Sequence, residues 1–136
     1  MFAVIGQEIA SRLNSFHDFT SVNGSNKVFP VIMNQTASYP ATTYRIEDVD
    51  NFIAKGSSLD SCNVSIRISC LSPIYSTTYE QSKAVVNALD LYKVLYTEGT
   101  QSYTAKFNFS SLTDEYHETA EVYYKDIMFN CLIIKN

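Results

Sequence analysis

The 136-residue chain carries a formal net charge of -4, with 46% hydrophobic and 18% charged residues. This length suits one domain with a core of its own, and this composition excludes a disordered chain. The ten basic residues are spread singly along the chain, which argues against phosphate-backbone binding as the main activity.

The cysteine count and the start of the chain indicate the cellular setting. Three cysteines at irregular spacing favour a reducing compartment over a disulfide framework. The start, MFAVIGQEIASRL, lacks a signal-peptide pattern because Glu8 and Arg12 interrupt its apolar residues. No segment approaches the roughly 18 apolar residues of a membrane span. We therefore expect a soluble protein made in a cytoplasm.

The beginning of the chain predicts a helix, a turn and an irregular strand. Residues 2–16 predict an amphipathic helix whose apolar side consists of Phe2, Ile5, Ile9, Leu13 and Phe16. The segment SVNGSNK that follows is rich in turn-forming residues. Residues 27–33 are apolar but contain Pro30, so they predict an edge or irregular strand.

The next part of the chain predicts a strand between two loops. Residues 34–39 are polar and precede Pro40, which predicts a loop. Residues 41–48 alternate in character and predict a strand. Residues 50–60 contain the sequence KGSS and predict a second loop.

A strand followed by a helix forms the predicted centre of the fold. In residues 63–70, apolar side chains alternate with polar ones, which is the period of a strand with one buried face. Ser72-Pro73 ends that strand. The spacing of Thr78 and Gln81, or of Thr77 and Glu80, then predicts a capping box at the start of a helix. The apolar face of this helix predicts an end near residues 91–95.

The last part of the chain predicts two strands. After a turn at residues 97–101, residues 102–109 alternate and place Tyr103, Ala105, Phe107 and Phe109 on one face. Residues 114–118 are acidic and predict a solvated loop.

Residues 121–134 predict a long closing strand. A change of phase near Lys125 and Asp126 predicts a bulge there. Leu132 and Ile134 lie on the face opposite the core, so the end of this strand is expected to be covered on both sides or to lie at an interface. The whole order predicts an α+β domain, in which an antiparallel or mixed sheet of about five strands is covered on one face by two helices.

The sequence shows no motif with a catalytic or cofactor-binding arrangement. His17 beside Asp18 has neither a nucleophile elbow nor a cysteine partner near it in sequence. His117 lies among acidic residues, but the spacing matches neither a zinc motif nor a calcium loop. The acidic trio of Glu47, Asp48 and Asp50 is interpreted as solvated surface. We expect no enzyme activity, no cofactor and no metal.

Aromatic content points instead toward a surface role. The chain has ten tyrosines, eight phenylalanines and no tryptophan. Tyrosine suits protein interfaces because one end is apolar and the other can remain hydrated. Cross-strand pairs and the edges of the core are the alternative use of these side chains.

The chain resembles the tail-completion, or tail-terminator, proteins of long-tailed bacteriophages along nearly its whole length. An amphipathic helix precedes Val28-Phe29-Pro30, and a loop ends at Tyr39-Pro40 before the strand of residues 42–46. The alternating strand VSIRISC then leads through a short turn to a helix that opens with YEQSKA, which is the best-matched part.

This resemblance implies a structural role in a virion. Such proteins form a ring, commonly a hexamer, that caps the head-proximal end of the tail tube, stops its growth and offers a surface to the head connector. The implied partners are therefore other copies of the chain, the tail tube protein and the head-tail connector or neck protein. DNA passes through the lumen without specific binding, which agrees with a mildly acidic chain.

A closed ring requires a head-to-tail interface between two different patches. We expect one patch at the strand of residues 102–109 and the end of the last strand, and the other on the helix near Tyr79 and Lys83 or in the loop of residues 51–60. The expected interface residues are Tyr79, Lys83, Tyr103, Ala105, Phe107, Phe109, Leu132 and Ile134.

Three other interpretations stay open on sequence grounds. Another neck or connector component of the same particle would share the size and the ring-forming habit. A small α+β enzyme or ligand-binding domain using His17 and Asp18, or an adaptor that binds one partner as a monomer, belongs to a different class.

Overall fold

The computed structural model describes residues 4–33, 37–52 and 61–136. In these parts of the chain, a six-stranded mixed sheet is covered on one face by helices. The elements in chain order are α1 (Ile5–Ser15), α2 (His17–Asn23), β1 (Val28–Pro30), β2 (Ala41–Phe52), β3 (Ser61–Ser72), α3 (Tyr75–Leu89), β4 (Lys93–Glu98), β5 (Gln101–His117) and β6 (Val122–Lys135). The α+β class is confirmed, with six strands rather than about five and three helices rather than two.

The strands are ordered β1-β2-β3-β6-β5-β4 across the sheet. β1 pairs in parallel with β2, and every other neighbouring pair is antiparallel. β1 lies at one edge, as its proline predicted, because Pro30 has no N–H to offer a strand on its outer side. β6, the last strand in the chain, lies at the centre between β3 and β5.

The core lies between the sheet and the helices. Along β3, alternate residues are buried without exception, and those from Cys62 to Cys70 lie opposite buried residues of β6. From the helices, Ile5, Ile9 and Leu13 of α1 and Val85 and Leu89 of α3 complete this layer with no exposed surface. The predicted inward faces of α1 and β3 are therefore confirmed.

The start of α3 corrects the predicted capping box. The helix begins at Tyr75, with Ile74 as an N-cap that makes no side-chain hydrogen bond. Thr78 lies within the first turn and donates from Oγ1 to the Tyr75 carbonyl at 2.6 Å. Gln81 is the seventh residue of the helix, and its side chain donates to Asn23 and to the Ala41 carbonyl rather than capping the helix. The turn before the helix is held instead by Ser72, whose Oγ accepts from the Ile74 N–H at 3.1 Å.

The sequence-based prediction omitted two elements, α2 and β4, and placed the end of α3 too late in the chain. Residues 17–23, placed in a loop and a turn, form α2. α3 ends at Leu89 rather than near residues 91–95, and the chain then forms β4. A tight turn at Gly99, whose φ is 62°, joins β4 to β5, so part of the predicted turn is confirmed.

The prediction that the acidic residues 114–118 form a loop is wrong, because β5 continues to His117. The predicted bulge near Lys125 is also wrong: β6 pairs with β3 without interruption, and the irregularity lies between Phe109 and Ser111 of β5. The phase change in β6 arises because Val122 and Tyr124 face the open side of the sheet while Lys125 faces the helices.

Two predicted loops lie partly outside the described residues: residues 34–36 of the loop 34–39, and residues 53–60 of the loop 50–60. The start of the second loop, residues 50–52, belongs to β2. Within the described ranges, no helix is long and apolar enough to cross a membrane.

Candidate interaction surfaces

The side of the sheet away from the helices, called here the open face, is polar at its centre. Arg67 of β3 forms ion pairs with Glu47 at 2.9 Å and with Asp126 at 3.6 Å, and Ser69 donates to Asp126 at 2.6 Å. Arg45 lies 3.7 Å from Glu47 in the same group. The charged groups at the centre of the open face therefore form their ion pairs within one copy of the chain.

A second group of charged side chains lies on the helix-covered side of the sheet, next to the first residue of α3. Lys125 of β6 is almost fully buried, and its ammonium group contacts the Asp114 carboxylate and lies 3.2 Å from the Tyr75 hydroxyl. The Tyr75 hydroxyl donates to the other carboxylate oxygen of Asp114 at 2.8 Å. The first residue of α3 is thereby fixed to the β5–β6 hairpin.

A buried polar network joins the helices to β2. Gln81 of α3 donates to the Asn23 side-chain oxygen at 2.8 Å and to the Ala41 carbonyl at 3.2 Å. The Thr42 hydroxyl also donates to Asn23, at 2.8 Å, and Asn23 donates to the Lys27 carbonyl at 3.2 Å. This network orients the end of α2 and the entry to β2, and no local sequence signal indicated it.

Neither histidine lies in a catalytic arrangement within the described part of the chain. His17 is exposed at the start of α2, and its backbone carbonyl accepts from Thr20. His117 accepts the Ala120 N–H through Nδ1 at 3.1 Å, so it shapes the exposed turn after β5. Among the described residues, no group of histidine, cysteine, aspartate and glutamate side chains is arranged to hold a metal ion.

The three cysteines are part of the hydrophobic core. Cys62, Cys70 and Cys131 are fully buried free thiols. Burial raises the pKa of Cys70 and of Cys131 to about 12, which disfavours the reactive thiolate. Their chemistry at neutral pH is that of small apolar side chains.

The predicted interface residues are distributed between the surface and the core. Ala105 and Phe107 are fully buried under the helices, so the expectation of an exposed strand is wrong at these positions. The reason is that β4 and the helices cover this half of β5. Of the other predicted residues, Phe109 and Ile134 are exposed and Tyr103 and Leu132 half-buried. Their interface role stays a prediction.

Tyr79 and Lys83 lie together on the exposed side of α3. They line a shallow groove of about 420 Å³ between this helix and β5, with Val86 and Leu112 as its apolar part. The groove's walls come from α3, β5 and β6, so it forms only when the hairpin has folded against the helix.

Exposed aliphatic side chains lie at both edges of the sheet. At the β1–β2 edge, Val31 and Ile32 are 56% and 73% exposed. At the β4 edge, Leu91 and Leu95 are 64% and 69% exposed. Sequence reasoning missed these four residues. The exposure of Leu95 could have been predicted from the sequence. Val94 and Tyr96 are spaced as the inward residues of a strand, and this spacing places Leu95 on the opposite face.

Comparison with known proteins gives a fold correspondence. The chain superposes on a chain in the solved structure of the virion of a native gene transfer agent (GTA) particle, with a TM-score of 0.78, 17% sequence identity and 100% of both chains covered. No protein-family model matches the sequence. No curated protein matches it either. The likeness shows that the two chains share their fold from end to end.

Proposed function

We propose that this protein is a non-enzymatic structural component of a phage-like virion. The observation that carries this proposal is the fold match to a chain of the gene transfer agent virion, because it covers both chains completely. The described histidines and cysteines, in turn or core positions, are consistent with a structural role.

Within the virion, we propose a ring at the head-proximal end of the tail tube. Such a ring stops growth of the tube and joins it to the head connector, as the resemblance to tail terminators implies. The exposed aliphatic residues at both edges of the sheet support this proposal, since a head-to-tail ring needs two different patches on each copy. A function as another neck ring would use the same surfaces at another position in the particle.

Growth of the tail tube in vitro tests the proposal. Purified tube protein would be polymerised with and without this protein, and tube lengths measured by negative-stain electron microscopy. We expect short tubes with a ring at one end and a dose-dependent decrease in length. Rings that form but leave tube length unchanged would support the neck alternative. A protein that forms no ring, alone or with tube protein, would contradict the proposal.

A further inference from the structure

We infer that neighbouring copies of this chain meet edge to edge, with the β4 edge of one copy against the outer edge of β2 in the next. This inference rests on the proposed ring and specifies its interface. The two edges carry complementary charges and exposed aliphatic side chains, and each strand edge is open over part of its length.

The open parts of the two edges follow from the pairing. β1 covers β2 only along residues 42–44, with two further backbone hydrogen bonds, from Val31 to the Tyr44 carbonyl and from Thr42 to the Lys27 carbonyl. Beyond this point, the outer side of β2 pairs with no other described strand. β4 is the last described strand at the opposite edge. An unpaired strand edge readily accepts a strand from another molecule.

A single cross-strand row connects the charged groups of the two edges. Asp50 of β2 lies opposite Asn63, which lies opposite Leu132, and this row continues to Lys106 and then to Lys93 of β4. The row therefore begins with a carboxylate at one edge and ends with two ammonium groups at the other. A second copy placed beside the first along this row brings unlike charges together.

These charges have no ionic partners within the described chain. Asp48 and Asp50 are exposed on the open face of β2, and no ion pair forms between them and any described residue. Lys93 and Lys106 lie directly opposite one another, a placement that is unfavourable for two like charges in one subunit. A neighbouring copy that offers Asp48 and Asp50 removes this repulsion.

The aliphatic residues at the two edges adopt a conformation that the isolated chain does not favour. Val31 has a φ of 63° and Leu91 a φ of 64°, in the left-handed region where glycine or asparagine is usual. Leu91 follows the end of α3, at a position that glycine commonly occupies. Backbone hydrogen bonds from Val31 to the Tyr44 carbonyl and from Leu91 to the Phe107 carbonyl hold this conformation within the subunit, and both side chains are left exposed at the edges, where a neighbouring copy would bury them.

Charge reversal on each edge tests the inference. One variant carries Lys93→Glu and Lys106→Glu, and the other carries Asp48→Lys and Asp50→Lys. Each variant alone would place like charges at every contact, so we expect its self-association to weaken at least about tenfold in light scattering. An equimolar mixture would again pair unlike charges at both edges, and assembly should recover. Circular dichroism melting of each variant provides the folding control.

Cysteine cross-linking gives an independent result should a charge variant fail to fold. A chain with both Asp50→Cys and Lys93→Cys should give a ladder of covalent multimers with a short bismaleimide. Each single variant should give monomers, and a mixture of the two should give dimers only. The native cysteines are fully buried, so we expect them not to react in this assay, and Ser76→Cys is an exposed control away from both edges.

Two outcomes are distinguishable. Wild-type rings together with charge variants that assemble normally, or with an unreactive double-cysteine chain, would overturn the edge-to-edge interface and leave the proposed function intact. A wild-type chain that forms no ring, alone or with tube protein, would overturn the proposed function and this interface with it.

Discussion

Lys125 and Asp114 form an ion pair on the helix-covered side of the sheet, at the point where α3 begins. Lys125 is nearly inaccessible to solvent, whereas Asp114 is about half exposed, with 48% of its side chain accessible. Burial alone would lower the pKa of Lys125, but its hydrogen bonds with Asp114 and Tyr75 outweigh burial and raise this pKa. Lys125 therefore stays charged inside the protein, and one carboxylate at the surface, that of Asp114, stabilises this buried charge.

Replacing Asp114 with alanine should destabilise the fold. The Lys125 ammonium group would remain buried with the Tyr75 hydroxyl as its remaining partner, which should lower the free energy of unfolding by about 1–3 kcal/mol. Urea unfolding would measure the change. Glu115→Ala is the matched control, since Glu115 is exposed and points to the other side of the same strand. Equal stability of Asp114→Ala and the wild type would contradict the importance of this ion pair.

The same pair predicts a decrease in stability in acid. Hydrogen bonds from Lys125 and Tyr75 hold the pKa of Asp114 below its usual value of 3.8. A lowered folded-state pKa means that the stabilisation is present above 3.8 and is lost as the pH falls through the folded value. Solvent screening of the half-exposed carboxylate should keep this effect below about 1 kcal/mol. Unfolding curves from neutral to acid pH should decline less steeply for Asp114→Asn than for the wild type.

Removing the buried amide of Gln81 should also lower the free energy of unfolding, through the loss of its hydrogen bonds. Gln81→Leu preserves the volume but leaves the Ala41 carbonyl without this donor, so we expect a decrease of about 1–2 kcal/mol in the free energy of unfolding. Glu80→Leu at the neighbouring exposed position serves as control. A more stable Gln81→Leu protein would show that the unpartnered Gln81 Oε1 costs more than the hydrogen bonds contribute.

The cysteines predict a thiol-reactivity pattern. Because burial raises the pKa of Cys62, Cys70 and Cys131, the folded protein should react with iodoacetamide only as fast as it opens. Mass spectrometry after timed labelling should show an unmodified native chain and full labelling in urea. Rapid modification of one cysteine in the native protein would contradict its buried placement.

Leu91→Gly should have opposite effects on the subunit and on the assembly. Glycine relieves the left-handed strain at this position, so the isolated subunit should become more stable by up to about 1 kcal/mol. Loss of the exposed leucine should weaken association. Thermal melting and light scattering on the same samples would measure both effects, and Gly99→Ala, which introduces strain in open space, is the reverse control for stability. A variant that associates as strongly as the wild type would count against Leu91 as a contact.

Alternation of residue character predicted most of the sheet. The inward residues of β3 could be identified because this strand buries one face only, and this property is local in sequence. The same alternation placed Tyr103, Ala105, Phe107 and Phe109 on one face of β5 but did not show that Ala105 and Phe107 are buried. β4 was missed because Leu89 and Tyr92 continue a helical spacing past the end of α3, and Leu91 occupies the position where a glycine would have marked that end. The acidity of residues 114–118 concealed a strand whose side chains are all exposed.

The interaction surfaces could be predicted only in part. Tyr79 and Lys83 were identified as exposed helix residues, but whether a strand residue is exposed depends on which other strand covers it. Ala105 and Phe107 are buried because the helices and β4 cover this half of β5, and Asp50 shares a row with Lys93 because β6 inserts between β3 and β5. These are relations between residues far apart in sequence, and no window of neighbouring residues contains them.

The central position of β6 also determines how much of the chain must be synthesised before the sheet can form. β6 joins the β2–β3 hairpin to the β4–β5 hairpin, and its pairs with β3 connect residues as distant as Ser61 and Ile134. A nascent chain must therefore be translated as far as β6 before the two halves of the sheet meet. Contacts this distant form slowly compared with local ones. An incompletely synthesised chain would not hold both edges in one sheet, so it would lack one of the two patches that the proposed ring requires.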